Sequence, residues 1–258
     1  MRRRHLLRYA SAGFLSTLGL GLVSSLQSYQ AQTESGPLSV QTLGHTAFLF
    51  TGGGQRILVN PFRPIGCTEG YPAPTAAADL VLISSRLFDE GYLEGSYANA
   101  QVLSQPGIYE IRGLNIQGIS MPHDREGGRR FGTNVAWVWN QAGVKIAHLG
   151  GAAAPIALED KILIGRPDVL LVPVGGGPKA YTPQEAVEAV RSLNPKLVIP
   201  THYRTQAADG DACDIVALDE FLTLMQETPV NRVNSTLSVS PSVLPSDGMR
   251  IAVLNYPF

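Results

Sequence analysis

Two adjacent carboxylates and two histidines are the residues of this chain best suited to chemistry. Asp89 and Glu90 come shortly after the apolar run 79–84, and His148 and His202 each stand at the end of another apolar run. Carboxylate oxygens and imidazole nitrogens together are ligands that zinc, manganese and iron accept. If these strand ends converge, the four residues are candidates for a metal site.

Each of these residues also has a structural interpretation that the sequence leaves open. Asp89 is suited to a helix cap or a turn, and Glu90 to a solvated first helical turn. His148 and His202 are also consistent with buried histidines whose rings bond to backbone carbonyls. The alternative to a metal site is therefore a polar pocket without a metal.

His45 and His123 are the remaining histidines after the N-terminal segment, and we expect them behind the ligands or against a substrate. His45 is equally consistent with a structural strand histidine. His123 precedes the arginine-rich loop 125–130. Arginine is suited to phosphate and carboxylate groups, so this loop is either an anion clamp beside the pocket or a solvated hairpin loop.

Short apolar runs separated by turn residues predict that the first half of the chain is largely β. The predicted strands are 38–50, 56–60, 79–84, 101–103, 109–119 and 134–139, the last paired as a hairpin with 144–149. The runs 168–174 and 196–200 are continuously apolar, which is typical of strands covered on both faces. A closing strand is predicted at 251–255.

Two helices are predicted in the second half of the chain. Thr182 as N-cap, Pro183 in the first turn and Glu185 three residues after the cap predict a helix that ends at Asn194. Apolar residues at helical spacing predict a second helix at 214–226. These elements indicate an α/β protein with two mixed β-sheets packed face to face and helices outside, although periodicity alone does not exclude a single doubly wound sheet.

The first 31 residues read as a targeting segment, which leaves one domain at 36–258. The stretch 3–8, Arg-Arg-His-Leu-Leu-Arg, resembles the twin-arginine export signal. We therefore expect an exported protein in the periplasm or an equivalent lumenal compartment. An uncleaved N-terminal segment would be its contact with a membrane, although its Gly and Ser content makes a weak span.

Composition argues against nucleic acids as partners and does not decide whether the two cysteines form a disulfide. The targeting segment carries four Arg and no acid, so the mature chain has 16 basic and 21 acidic residues. Nucleic acids require a basic face, so we expect a small-molecule substrate or ligand instead. Cys67 and Cys213 are either a disulfide, as an oxidising compartment allows, or two unrelated thiols.

Five segments, in order, resemble the metallo-β-lactamase (MBL) superfamily, in particular its ascorbate-6-phosphate lactonase-like branch. They are Leu-Gly-His-Thr-Ala at 43–47, Ile-Leu-Val-Asn-Pro-Phe at 57–62, the stretch 81–91, Gly-Val-Lys-Ile-Ala-His-Leu-Gly-Gly at 143–151 and Leu-Val-Ile-Pro-Thr-His-Tyr at 197–203. The resemblance implies a four-layer αββα sandwich. It also implies a metal centre at strand tips, although this chain has a degenerate form of the family's His-x-His-x-Asp-His motif.

The resemblance assigns two metals to this centre, and the chain lacks some of the ligands of each metal. The first metal would need Ser85, Leu87 and His148, and Leu87 has no donor atom. The second would need Asp89, Glu90 and His202, with a bridging Asp at the position of Gly151 or its neighbour. Asn60 stands where the family has an Asp that supports the ligands from behind. The resemblance therefore implies at most a mononuclear centre.

Two functions follow from these residues. The first is an exported hydrolase that acts on a small ester, lactone or phosphoester through one divalent metal, with Asp89 or Glu90 positioning the attacking water. The alternative is a non-catalytic MBL-fold protein that has lost its metals and binds a small ligand or a protein partner. Fold membership alone does not decide between them, and the sequence leaves the substrate and the oligomeric state open.

Overall fold

Two mixed β-sheets packed face to face form the centre of the protein. The computed structural model describes residues 36–93, 97, 99–208, 210 and 212–257. The predicted α/β architecture, two mixed sheets flanked by helices, is confirmed. The predicted targeting segment 1–31 lies outside the described residues. Among the described helices, none has the length and apolar character needed to cross a membrane.

The first sheet has six strands in the order β13-β1-β2-β3-β4-β5. Pairing is antiparallel from β13 to β3 and parallel from β3 to β5. The strands are β1 (Leu38–Gly44), β2 (Ala47–Gly52), β3 (Gln55–Val59), β4 (Leu80–Leu82), β5 (Gln101–Leu103) and β13 (Thr236–Val239).

The second sheet has eight strands in the order β12-β14-β11-β10-β9-β8-β7-β6. Pairing is antiparallel from β6 to β9 and parallel from β9 to β12. The strands are β6 (Gly107–Ile111), β7 (Leu114–Pro122), β8 (Thr133–Gln141), β9 (Val144–His148), β10 (Val169–Pro173), β11 (Leu197–Thr201), β12 (Val230–Val233) and β14 (Arg250–Leu254).

Three described helices accompany the eight-stranded sheet: α1 (Leu158–Ile164), α2 (Pro183–Leu193) and α3 (Leu218–Leu224). Helix α2 has the predicted start, because Thr182 and Glu185 form a capping box, and it ends at Asn194 in a left-handed conformation. The second predicted helix is shorter than expected at both ends, and α1 was not predicted.

The two large layers of the core lie on the two faces of the eight-stranded sheet, and a smaller cluster lies on the outer face of the six-stranded sheet. Strand β8 shows the alternation: Trp137 and Trp139 point toward the six-stranded sheet, whereas Ala136 and Val138 face the helices. Phe50 meets Trp139 edge to face, with ring centroids 4.9 Å apart. These large buried aromatic side chains fix the spacing of the sheets on which the site is built.

Two long predicted strands are in fact hairpins. The predicted strand 38–50 breaks at His45, which has φ +54°, and 109–119 breaks at Arg112 and Gly113, which have φ +50° and +80°. A left-handed residue cannot continue an extended strand. The turn at His45 moves its ring to the edge of the sheet.

Loops that follow strand ends carry the polar residues of interest to this one edge. Asn60 follows β3, His123 follows β7 and His202 follows β11, while the stretch 84–91 follows β4. This arrangement brings together side chains that are far apart in the sequence.

Candidate metal centre

Hydrogen bonds within the loop 85–91 hold its shape, and its two carboxylates contact different neighbours. The amides of Glu90 and Gly91 both donate to the carbonyl of Leu87. A Cβ at Gly91 would lie 1.8 Å from the carbonyl oxygen of Ser85, so only glycine fits there. As a result, Asp89 and Glu90 are adjacent in sequence but belong to different groups of contacts.

Asp89 belongs to a group with His45 and His202. Each of the three offers one ligand atom, and these atoms all lie within 4.8 Å of one another. The two imidazole rings are 4.2 Å apart between centroids. Lys179 forms a close ion pair with Oδ2 of Asp89, so the carboxylate already has one cationic partner from the protein.

Glu90 belongs to a second, fully buried group. Its Oε2 accepts a hydrogen bond from Ser85 Oγ at 3.0 Å and lies 3.4 Å from Nε2 of His123. Its Oε1 lies 3.6 Å from Nε2 of His202. The Glu90 carboxyl group therefore stands between His123 and His202.

Gly151 makes room for this carboxyl group. A Cβ at Gly151 would lie 2.2 Å from Oε1 of Glu90 and 2.5 Å from Nε2 of His123. The space that a side chain at position 151 would need is therefore filled by Glu90.

The three histidines of these groups are neutral because they are buried. Burial lowers the pKa of His45 and of His123 to about 4. The pKa of His202 lies well below its ordinary value, through burial and then through the nearby His45 and Lys179. A neutral imidazole is the form that binds a metal.

The pKa values of the two acids are shifted in opposite directions, and that of the lysine is raised. Burial, and then repulsion from Asp89, raises the pKa of Glu90 to about 8. Burial would also raise the pKa of Asp89, but Lys179 outweighs it and holds that pKa below its ordinary value. The pKa of Lys179 is raised because Asp89 and Glu90 outweigh its own burial. Asp89 is therefore the ionised carboxylate of the pair.

His148, predicted as a ligand, is held elsewhere. Its Nε2 donates to the carbonyl of Thr46 at 3.1 Å, and its Nδ1 accepts the amide of Gly150 at 3.0 Å. It shares a face of β9 with Ile146 and lies edge to face with Phe48 between the sheets. Both ring nitrogens are thus bonded to backbone, and the structure does not bring His148 to the other three histidines.

Asn60 supports the site through the backbone. Its Oδ1 accepts the amide of Ser84 at 2.8 Å, which fixes the start of the loop 85–91 to the end of β3. Asn60, His45 and His202 all have positive φ, at 50°, 54° and 53°. Non-glycine residues in this conformation are strained and cluster at functional sites.

Lys179 was not predicted from the sequence. It follows the loop Gly175-Gly176-Gly177-Pro178, in which no spacing points to a role for the lysine. Arg125 holds this loop, because it donates to the carbonyls of Gly177 and Ala180 on either side of Lys179. It also forms a two-pronged ion pair with Glu185 in α2. The guanidinium of Arg125 is therefore bonded to protein groups, so Arg125 is not part of an anion clamp.

A cavity of about 470 Å³ opens over the site, and Asp89, Lys179 and His202 line it. Arg130 and the Cys67–Cys213 disulfide line the same cavity. The disulfide that the sequence left open is thus formed, and it joins two segments of the cavity wall.

Comparison with known proteins agrees with this architecture. A model of the Beta-lactamase superfamily domain matches residues 39–202. A UPF0173 metal-dependent hydrolase from Thermococcus onnurineus is 30% identical over 225 residues, which cover 70% of this chain and 96% of the relative. Another from Aeropyrum pernix is 28% identical over 200 residues, covering 63% of this chain and 81% of the relative.

A solved structure gives the same result. The crystal structure of a metallo-beta-lactamase superfamily protein from Thermotoga maritima has 27% sequence identity and a TM-score of 0.67, and the match covers 85% of this chain and 100% of that one. The predicted resemblance is thereby confirmed, and the chain belongs to the metallo-β-lactamase superfamily, with the UPF0173 proteins as its relatives.

Proposed function

We propose that this protein is a metal-dependent hydrolase with a single metal held by His45, Asp89 and His202. The observation that carries the proposal is the approach of these three ligand atoms to within 4.8 Å of one another. The relatives named as metal-dependent hydrolases support the same activity class. The substrate class that we propose is a small ester, lactone or phosphoester.

The donor groups fit a cation. Both ring nitrogens of His45, of His123 and of His202 are buried, and none has a hydrogen-bond partner among the described residues. Buried polar atoms without partners are rare, and a bound ion is one explanation for them. Zinc, manganese and iron accept such mixed nitrogen and oxygen ligands. Such a metal supplies Lewis acidity, which lowers the pKa of water and polarises the bond to be hydrolysed.

The protein groups around the metal position have separate tasks in this proposal. Lys179 holds Oδ2 of Asp89 and so fixes this carboxylate beside His45 and His202, the residues that would hold the metal with it. Oε1 of Glu90 has no hydrogen-bond partner among the described residues and faces His202. We assign to this oxygen the positioning of the attacking water.

A specific observation favours a second candidate, a metal-free protein that binds a ligand. The Lys179 ammonium already neutralises Asp89, and positions 87 and 151 offer no donor atom. In this case the cavity would bind a small molecule or a protein partner without hydrolysis.

Metal analysis separates the two candidates. We expect purified protein prepared without chelator to hold about one equivalent of a transition metal, and His202→Ala to lose it. His148→Gln is the matched control, since both nitrogens of His148 are bonded to backbone, and it should keep the metal. A content below about 0.1 equivalent in the wild type, or one unchanged by His202→Ala, would exclude the hydrolase proposal.

We further propose that the protein is exported by the twin-arginine route. The N-terminal pattern at 3–8 supports this, and so does a disulfide, which is typical of oxidising compartments. Cell fractionation tests it: Arg3→Lys with Arg4→Lys should leave precursor in the cytoplasm, and normal export of that variant would refute the route.

A further inference from the structure

Lys179 is the one partly buried cation of the described cavity wall, since Arg130 is exposed, and its surroundings hold it in place. Its side chain is 18% exposed and its ammonium contacts Asp89. The carbonyls of Gly177 and Ala180, on either side of it, are both bonded to Arg125. A surface lysine would not need such support, so the position of this ammonium is a built feature of the site.

The charges of the cavity wall balance without a metal. Among the described residues that line the cavity, Lys179 and Arg130 are the two basic side chains, and Asp89 and Asp214 are the two acidic ones. A divalent metal at the proposed position would therefore give the cavity two positive charges in excess.

We propose that Lys179 acts beside the metal as a second cation and binds an anionic oxygen of the substrate, so that the site selects substrates that carry a phosphate or a carboxylate. The inference rests on the proposed function, since the metal supplies the excess positive charge. An ammonium has three N–H donors, and the contact with Asp89 leaves donors for a ligand. The partial exposure of the side chain is toward the cavity that it lines.

Arg130 provides a matched comparison within the same cavity. It has the same charge, but it is exposed and stacks over the ring of Phe131, 4.8 Å from its centroid. Exposed charges are screened by solvent and salt, whereas buried ones are screened much less. If the cavity attracted anions only through its net charge, loss of either residue would have a similar effect.

The test is calorimetric titration of inorganic phosphate into protein loaded with one equivalent of zinc, with unbound metal removed. We expect Lys179→Met to weaken phosphate binding at least about 10-fold, because a hydrogen bond to a charged group is lost. Arg130→Met should weaken it by less than about 3-fold. Lys179→Arg should restore only part of the affinity, because a guanidinium does not reproduce the position of an ammonium.

Three outcomes would overturn the inference: no phosphate binding by the wild type, equal binding by Lys179→Met, or equal losses in Lys179→Met and Arg130→Met. Thermal unfolding of each variant checks the fold, and Lys179→Gln replaces Lys179→Met if the latter does not fold. Metal content is measured on the same samples, so failure to hold zinc is seen separately as a failure of the proposed hydrolase. In that event the excess positive charge is missing, and the inference falls together with the proposed hydrolase.

Discussion

At the scale of single residues, the site depends on a glycine that leaves room for a carboxyl group. Position 151 carries glycine, and the carboxyl group of Glu90 fills the space beside it, 3.4 Å from His123 and 3.6 Å from His202. The glycine at position 151 and the position of the Glu90 carboxyl group therefore depend on each other.

This coupling predicts a double-mutant effect. Gly151→Ala should destabilise the protein by about 1–3 kcal/mol, because its Cβ would overlap Glu90 and overpacking has costs of that size. In a Glu90→Ala background the same substitution should cost much less. Urea unfolding of the four proteins measures the difference.

Gly36→Ala serves as the control, because a Cβ at Gly36 would meet nothing within 4 Å. It should leave the free energy of unfolding unchanged. Equal penalties for Gly151→Ala with and without Glu90 would show that the two positions are independent.

The sequence predicted which residues belong to the site better than it predicted which of them lie close together. Asp89 and His202 follow apolar strands, which is a readable signal, and the structure brings their ligand atoms near those of His45. His148 ends a strand too, but the alternation along β9 turns it between the sheets. Which face a strand's last residue occupies depends on register with its neighbours, and this is a tertiary property.

No local sequence pattern predicted a role for Lys179 in the site, because its position depends on contacts between distant loops. The Arg125 that holds its loop is 54 positions earlier in the printed sequence, and bonds the carbonyls of Gly177 and Ala180. Side chain to backbone bonds of this range leave no pattern in one sequence.

At the scale of elements, the loop 123–132 is organised around a single carboxylate. Oδ1 of Asp124 accepts the amides of Glu126 and Gly128, and Oδ2 accepts those of Arg130 and Phe131. Arg125 then ties this loop to α2 through Glu185. The loop is thus ordered by its own acid, which the composition of an arginine-rich stretch did not suggest.

Replacement of this acid should loosen the loop. In Asp124→Asn one oxygen becomes an NH₂ group, which cannot accept the two amides that it faces. We expect faster hydrogen exchange at the amides of Glu126, Gly128, Arg130 and Phe131. Asp247→Asn, at an exposed acid in the C-terminal region, should leave these rates unchanged. Protection that survives Asp124→Asn would contradict the role given to the carboxylate.

Acid pH should loosen the same loop in the wild type, which is measured as lower protection factors because intrinsic amide exchange is itself slower at low pH. The four amides outweigh burial and lower the pKa of Asp124 from 3.8 to about 2. Because the folded-state pKa is depressed, the stabilisation is present above about pH 4 and is lost as the pH falls toward 2.

Element boundaries were predicted best where local chemistry fixes them. The capping box of Thr182 and Glu185 marked the start of α2, and β5 was predicted at its observed bounds. The hairpin turns at His45 and at Arg112 were missed, although histidine is enriched in left-handed conformations and a glycine with positive φ stands next to each residue. Strands β12 and β13 were missed because their half-exposed residues show no clear apolar pattern.

At the scale of the whole molecule, one disulfide joins distant parts of the chain. Cys67 and Cys213 are 146 residues apart in sequence. The same two segments are also joined by the amide of Gly70 to the carbonyl of Ala207 and by the hydroxyls of Tyr71 and Thr205. The disulfide therefore closes a long loop at a place where the folded chain already makes contact.

Removal of the disulfide should lower stability substantially. By the chain-entropy argument, a loop of 146 residues corresponds to about 5 kcal/mol of stabilisation. Urea unfolding of Cys67→Ala with Cys213→Ala, compared with the oxidised wild type, measures this loss. A difference below about 1 kcal/mol would show that the other contacts suffice to hold these segments.

The disulfide also has a consequence for any attempt to read the metal content of this protein. It lies on the wall of the cavity that Asp89 and His202 line. Protein made in a reducing cytoplasm would carry two thiols there, with Cα atoms 4.7 Å apart in the folded chain, and thiolates are soft ligands that select zinc. Such material would offer two additional sulfur ligands on the cavity wall, so oxidised protein is the sample in which the metal count belongs to the histidine site.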